Sequence, residues 1–270
     1  MTEQLGRRSF LIAAVGASAS LALPHTYAGN ERAAPKRRIF AVGGQAFSDP
    51  GKVLLHFLLS LTGKNEPLVY FLPTASGDNP GQIAGWYEVV TQAPCRPRHL
   101  RLFDVSGRMR NIEKQLLSAD AIWVGGGNTL NMVAIWKAQE VDVVLRKAWE
   151  QGIVLAGESA GMICWFEEGL SDSRPERLTV VKGLGFLKGG ASPHYSPDNG
   201  RGRLYNKMLA EGEIKEGIGC DDGAGVLFEG TELTKVVSVS SNATAYRIRR
   251  VGEKVVEERL KSEVLAGQTK

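Results

Sequence analysis

From residue 38 onward the chain repeats one pattern that few folds can absorb. A short apolar run rich in β-branched and aromatic residues is followed by a stretch with helical spacing, and most of the runs end at glycine or proline. Ile39-Phe40-Ala41-Val42 ends in Gly43-Gly44 and precedes a helix expected over Val53 to Leu61. Leu68 to Leu72 stops at Pro73, ahead of a helix expected around Ile83 to Val90. His99 to Phe103 reads as a third strand, with helix over Asn111 to Leu117. Ala121 to Val124 runs into Gly125-Gly126-Gly127-Asn128-Thr129, and helices are expected over Leu130 to Trp136 and Val141 to Gln151 before a strand at Ile153 to Ala156. Strands without polar alternation are buried on both faces, and an intervening helix lets successive strands run parallel. The expected fold class is therefore α/β, a mostly parallel sheet with helices on both faces. Right-handed crossovers then gather the carboxyl ends of the strands along one edge, where the following loops can carry a site. Beyond Gly169 the pattern loosens into shorter strands at Leu178–Val181, Val226–Phe228, Val236–Val239 and Ala245–Ile248. No repeat or low-complexity tract interrupts it, so residues 38–270 read as one domain.

The segment before that pattern reads differently. Arg7-Arg8 precede Ser9-Phe10-Leu11 and an Ala-rich uncharged run to Leu23, and Thr26-Tyr27-Ala28 supplies the small residues of a cleavage site. Residues 1–28 are therefore expected to be a twin-arginine signal peptide, read by the twin-arginine export machinery, and 29–37 a short linker. An uncleaved anchor is the other reading, but the run is short against the roughly 20 residues a span needs. The expected location is outside the cytoplasm, periplasmic or extracellular. A net charge of +4 without basic clusters interleaved with aromatics gives no footprint for nucleic acid. Cys95, Cys164 and Cys220 are odd in number and lack metal-ligand spacing, so free thiols are expected, with no metal and no cofactor.

Chemistry concentrates at Gly157-Glu158-Ser159-Ala160-Gly161, between the strand ending at Ala156 and a helix expected over Met162 to Glu167. A sharp strand-to-helix turn flanked by glycines lifts a serine hydroxyl to the strand's carboxyl end, the setting of a serine nucleophile. A serine N-cap with glycines for packing would read the same way. Such a nucleophile needs a base, and the chain has 4 histidines. His25 lies in the signal, His56 inside an apolar helix, and His99 beside Arg98 and Arg101, which would lower its basicity. His194 remains, in the proline-bounded loop Ser192-Pro193-His194-Tyr195-Ser196-Pro197. The acid to orient it could be Asp172, Asp198, Asp221 or Asp222, and Asp222, just past the strand end Ile218-Gly219-Cys220, is favoured. The Ala160 amide and one from Gly125-Gly126-Gly127-Asn128 are candidate oxyanion donors. The glycine run does not fit a dinucleotide loop, because Leu130 stands where the third glycine belongs.

Together, Val124-Gly125-Gly126-Gly127-Asn128-Thr129, Gly157-Glu158-Ser159-Ala160-Gly161, Ser192-Pro193-His194-Tyr195 and Gly219-Cys220-Asp221-Asp222-Gly223-Ala224 resemble the peptidase E family, serine aspartyl dipeptidases with a class I glutamine amidotransferase-like fold. The resemblance runs from about Ile39 to Arg249. It implies Ser159 as nucleophile, His194 as base, Gly127 and Ala160 as oxyanion donors, and Asp222 as the acid, where the best-known members carry Glu. Asp172 matches another acidic position and stands as the alternative. Cleavage after an N-terminal aspartate of a small peptide is implied, with Arg201 as the nearest match for a carboxylate reader and Arg203 and Arg174 as competitors. A cyanophycinase-like hydrolase and a catalytically silent binding protein of the same fold are the rival readings. The export signal departs from the cytoplasmic members of the family.

Overall fold

Side-chain alternation along the central strands generates the layers. The computed structural model describes residues 35–48, 52–103, 111–197 and 200–266. The expected signal peptide and Asp198 lie outside the described residues. The strands β1 (Arg38–Val42), β2 (Leu68–Leu72), β3 (Arg96–His99), β4 (Ala121–Val124) and β5 (Val154–Glu158) run parallel in the spatial order β1-β5-β4-β2-β3. Successive residues of a strand point to opposite faces. Accordingly Ile39, Tyr70, Ile122 and Leu155 enter one core and Phe40, Phe71, Trp123 and Ala156 the other.

The first core is closed by α3 (Ile112–Leu117), α4 (Thr129–Ala138) and α5 (Val141–Glu150), which supply Leu116, Trp136, Leu145 and Trp149. The second is closed by α1 (Val53–Leu61) and α2 (Pro80–Val90), through Leu54, Leu55, Leu58 and Trp86. Each large apolar side chain so buried stabilises the fold by about 1.5–3 kcal/mol relative to exposure. Helices thus lie on both faces of a largely parallel sheet, as expected. None of the described helices is long and apolar enough to cross a membrane.

The helix starts differ from the sequence reading because asparagines set them. Asn79, Asn111 and Asn128 each accept backbone amides of the first turn through the side chain, so α2 begins at Pro80 and α4 at Thr129, earlier than apolar spacing alone suggests. The third strand also moves, from the expected His99–Phe103 to Arg96–His99. It is the edge strand, where alternating polar residues are tolerated. Leu100 and Leu102 turn into the core instead, while the Asp78 carboxylate accepts the amides of Leu102 and Phe103 at 2.5 and 2.7 Å.

Past β5 the chain departs most from expectation. The helix expected over Met162 to Glu167 is a single turn, α6 (Ala160–Ile163), and Phe166 already begins a strand. Six strands, β6 (Phe166–Ser171), β7 (Thr179–Lys182), β8 (Leu187–Ser192), β9 (Gly217–Cys220), β12 (Ala245–Val251) and β13 (Lys254–Arg259), form a second sheet in the order β13-β12-β9-β8-β6-β7. Within it β6, β8 and β9 are parallel and the rest antiparallel. Helix α7 (Gly200–Ala210) covers this sheet with Tyr205 and Leu209. Between them, β10 (Ala224–Glu229), β11 (Glu232–Ser238) and the short β14 (Glu263–Val264) return to the first sheet beyond β1 and bring it to eight strands.

Candidate active site

Strand ends from both sheets meet at one place. β5 stops at Glu158, and the Ser159 amide donates to the Val42 carbonyl at the end of β1, 3.2 Å away. The amides of Met162 and Ile163 turn back to the Ser159 carbonyl at 3.0 and 3.1 Å, closing the turn of α6. A turn this tight needs both glycines. A Cβ on Gly161 would lie 2.2 Å from the Val124 carbonyl oxygen, and one on Gly157 would lie 2.7 Å from the carbonyl oxygens of Gly161 and Val124.

The second sheet brings the partners. After β8, the His194 amide donates to the Gly43 carbonyl at 3.2 Å and the Tyr195 amide to the Cys220 carbonyl at 3.0 Å. After β9, Asp221 is bound to Thr244 in both directions, its amide donating at 2.9 Å and its carboxylate accepting at 3.0 Å, while the Gly223 amide donates to Gly44 at 2.9 Å. Asp222 is therefore anchored on either side. The outcome is a continuous chain: Ser159 Oγ lies 2.9 Å from His194 Nε2, and His194 Nδ1 lies 2.6 Å from Asp222 Oδ1. With the carboxylate accepting, Nδ1 carries the proton, and Nε2 of the neutral ring accepts from the serine hydroxyl. The side chains of His194 and Asp222 are 38% and 39% exposed, so the chain borders solvent.

A loop after β1 completes the arrangement. Gln45 Nε2 donates to the other Asp222 oxygen at 3.1 Å, and Gly44 leaves room for the pair, since a Cβ there would lie 2.2 Å from Asp222 Oδ1. Glu158 fastens this loop by accepting the Ala46 amide at 2.9 Å. Burial pushes the Glu158 pKa up, against the pull of that amide and of His194. Gln45, Ser159 and His194 have φ of 52°, 56° and 50°, and they are three of the seven described non-glycine residues with positive φ. Such strain costs on the order of 1–3 kcal/mol per residue and gathers where surrounding structure over-determines the backbone.

The remaining candidates fall elsewhere. Asp172 does not reach His194; its Oδ2 lies 3.6 Å from Arg201 Nη2, and its side chain is 73% exposed. Arg201 also donates to the Leu170 carbonyl at 2.9 Å and is itself mostly buried, which lowers its pKa against the opposing pull of Asp172 and Asp222. Arg174 is turned toward β7, donating to Thr179 Oγ1 at 3.0 Å. His56 sits in α1. His99 Nδ1 is 2.9 Å from the Tyr87 hydroxyl, and its pKa is lowered first by burial and only then by Arg101, so the expected cationic cause is secondary. Among the described residues, the amides of Gly127 and Ala160 donate to no intrachain acceptor. The single turn of α6 supplies little of a full helix dipole, so negative charge here would depend on such individual amides. The three thiols are free, and burial raises each of their pKa values, that of Cys95 to about 11.

The parallel core of β1 to β5 with helices on both faces, carrying Ser159 on the tight turn after β5, is a class I glutamine amidotransferase-like fold. Two solved structures share the fold: a peptidase from an acI-B1 Actinobacterium, with a TM-score of 0.62 at 16% identity over 86% of this chain and 97% of that one, and a candidate peptidase E protein from Listeria monocytogenes EGD-e, with a TM-score of 0.56 at 18% identity over 76% and 100%. The chain belongs to peptidase family S51, whose model matches residues 39–236. An uncharacterized peptidase of Bacillus subtilis (strain 168), YgaJ, is 39% identical over 223 residues, 82% of this chain and 96% of its own.

The sequence reading named Ser159, His194 and Asp222, and the fold brings those three together. It missed Gln45, Gly44 and Glu158. A glycine doublet directly after the first strand, on the edge where strand ends gather, was the available signal for the first two.

Proposed function

We propose that the chain is a serine peptidase that hydrolyses dipeptides or short peptides through an acyl-enzyme. The hydrogen-bonded chain from Asp222 through His194 to Ser159 carries this reading. His194 Nε2 takes the hydroxyl proton as Ser159 Oγ attacks the scissile carbonyl carbon, and the carbonyl π pair moves onto oxygen. The amides of Ala160 and Gly127 hold that oxyanion. As the tetrahedral intermediate collapses, the C–N bond breaks and His194 returns its proton to the leaving amine. Water then attacks the acyl ester by the same route and restores Ser159. Asp222 keeps the proton on Nδ1 and stabilises the imidazolium, while Gln45 orients the carboxylate from its far oxygen.

Ser159→Ala should lower kcat by about 10⁶-fold while leaving the melting temperature near that of the parent. Loss of serine-phosphonate labelling in the same variant checks the assignment, and retention of most activity would remove Ser159 as nucleophile.

The proposal extends to an N-terminal aspartate as the preferred first residue. Arg201 is a sheltered cation whose exposed partner Asp172 binds it weakly, as exposed pairs do, so a substrate carboxylate could take that place at small cost. Arg201→Met should raise KM for Asp-Leu about 10-fold or more and leave Ala-Leu unaffected, given about 1.5–3 kcal/mol for a hydrogen bond to a charged group. Equal effects on both dipeptides would sink the specificity claim. Export through Arg7-Arg8, with cleavage after Ala28, completes the proposal; N-terminal sequencing of the mature protein tests it.

A further inference from the structure

Beside Ser159 lies one peptide unit whose direction is set from behind. Gln82 occupies the first turn of α2, where Asn79 Oδ1 accepts the amides of Gly81 and Gln82 at 2.8 and 3.1 Å. From there Gln82 Nε2 donates to the Gly126 carbonyl at 3.3 Å. The opposite side-chain orientation would set two oxygens against each other, so the carbonyl selects the amide's direction. The fold accepts a cost for this contact, because Gln82 Oε1 is left buried without a hydrogen-bond partner among the described residues. Gly125 keeps the lane clear: a Cβ there would come within 3.0 Å of Gln82 Oε1 and 2.9 Å of the Phe71 ring.

A trans peptide is planar, with its C=O and N–H on opposite sides. Holding the Gly126 oxygen toward Gln82 therefore turns the Gly127 N–H, in the same peptide unit, the other way. The loop is tied at its flanks as well, since the Gly125 amide donates to Leu72 at 3.2 Å and the Asn128 amide to Ala75 at 2.7 Å. Ser159 packs on this unit: a Cβ on Gly126 would lie 3.3 Å from Ser159 Cβ and 3.6 Å from its Oγ. Glycines flank the peptide on both sides, and Gly127 has φ 135°, so local backbone preference does little to resist a flip. A flipped unit would offer a carbonyl oxygen to a developing negative charge.

We propose that Gln82 is a positioning residue for the oxyanion hole, clamping the Gly126–Gly127 peptide so that its N–H faces the substrate carbonyl. The inference rests on Ser159 as nucleophile.

The test is Gln82→Met, which keeps the length and removes the donor, assayed on the full mature chain for dipeptide kcat and KM and for affinity toward a peptide boronic acid. The expected result is a kcat lower by about 10–100-fold, below the full loss of an oxyanion donor, with KM within about twofold and boronate affinity falling in parallel with kcat. Unchanged kcat, or a rise in KM alone, overturns the proposal, as does unchanged boronate affinity. Should Gln82→Met fail to fold, the near-isosteric Gln82→Glu carries the test. Protonated, its carboxyl can donate to the Gly126 carbonyl, and once ionised it opposes that oxygen. Burial raises the pH of this ionisation above the ordinary carboxylate range, so activity relative to the parent should fall as pH rises from about 5 to 9. A constant ratio across that range overturns the proposal. Phosphonate labelling of Ser159, run alongside, separates the two failures. A chain that labels on Ser159 but ignores Gln82 refutes the clamp alone, whereas one that does not label refutes the nucleophile beneath it.

Discussion

The two sheets contribute to the site in different ways. The eight-stranded sheet delivers Ser159 on a turn built almost entirely from contiguous residues, with Gly157 and Gly161 pressed against the neighbouring Val124. The six-stranded sheet delivers His194 and Asp222 on loops whose hydrogen bonds reach Gly43, Gly44 and Thr244, far away in the chain. One side of the site is locally encoded and the other is assembled. Damage to the glycines that shape the first side should therefore appear as instability, and loss of the Asp222 carboxylate that the second side presents as lost chemistry in an intact protein.

The strongest break of that contrast is Asp222→Asn. It preserves shape but offers an amide where the imidazole needs an acceptor, so kcat should fall by about 10⁴-fold with little change in melting temperature, while Asp172→Asn costs less than about tenfold. The reverse ranking in a steady-state assay would transfer the acid's role to Asp172. On the other side, Gly161→Ala forces a Cβ to 2.2 Å from the Val124 oxygen, and denaturant unfolding should show a loss of about 1–3 kcal/mol. A stable, inactive Gly161→Ala would blur the distinction.

The smallest effect sharpens the assembled side. Burial raises Asp221 to about 6. Its folded form thus holds a proton that the unfolded chain, near the ordinary carboxylate value, has already lost. Stability contributed this way is present at low pH and falls as pH rises from about 4 through 6, because the native state binds more protons than the unfolded one in that window. Allowing for partial exposure, Asp221→Asn should stabilise by about 1 kcal/mol at pH 8 and by little at pH 4. Melting curves at the two pH values decide it, and a pH-independent difference would mean that the Thr244 contact, not ionisation, governs the site.

The same division explains what could be read in advance. β1, β2, β4 and β5 are unbroken apolar runs, so their existence and parallel direction were legible, and so was the serine turn at the end of β5. β8 was harder, because Leu187-Lys188-Gly189-Gly190-Ala191-Ser192 is too rich in glycine to read as a strand, whereas β9 was legible through its end, Ile218-Gly219-Cys220. β8 is a strand because it pairs with β9, and a side chain on Gly190 would collide with the Tyr205 hydroxyl at 2.3 Å. Phe166 and Glu167 were read as the end of the helix expected from Met162, when pairing with β7 and β8 makes Phe166 to Ser171 a strand.

The sequence by itself determined the apolar periodicity of the first sheet, the Asn-capped helices that cover it, and the serine between two glycines, because each depends on residues close together in the chain. Only the tertiary structure decided that Asp222 rather than Asp172 faces His194, that Gln45 and Glu158 brace them, and that Gln82 stands behind the glycine loop. Those contacts join positions tens to nearly two hundred residues apart, and no local preference of the backbone encodes which distant strand ends will meet.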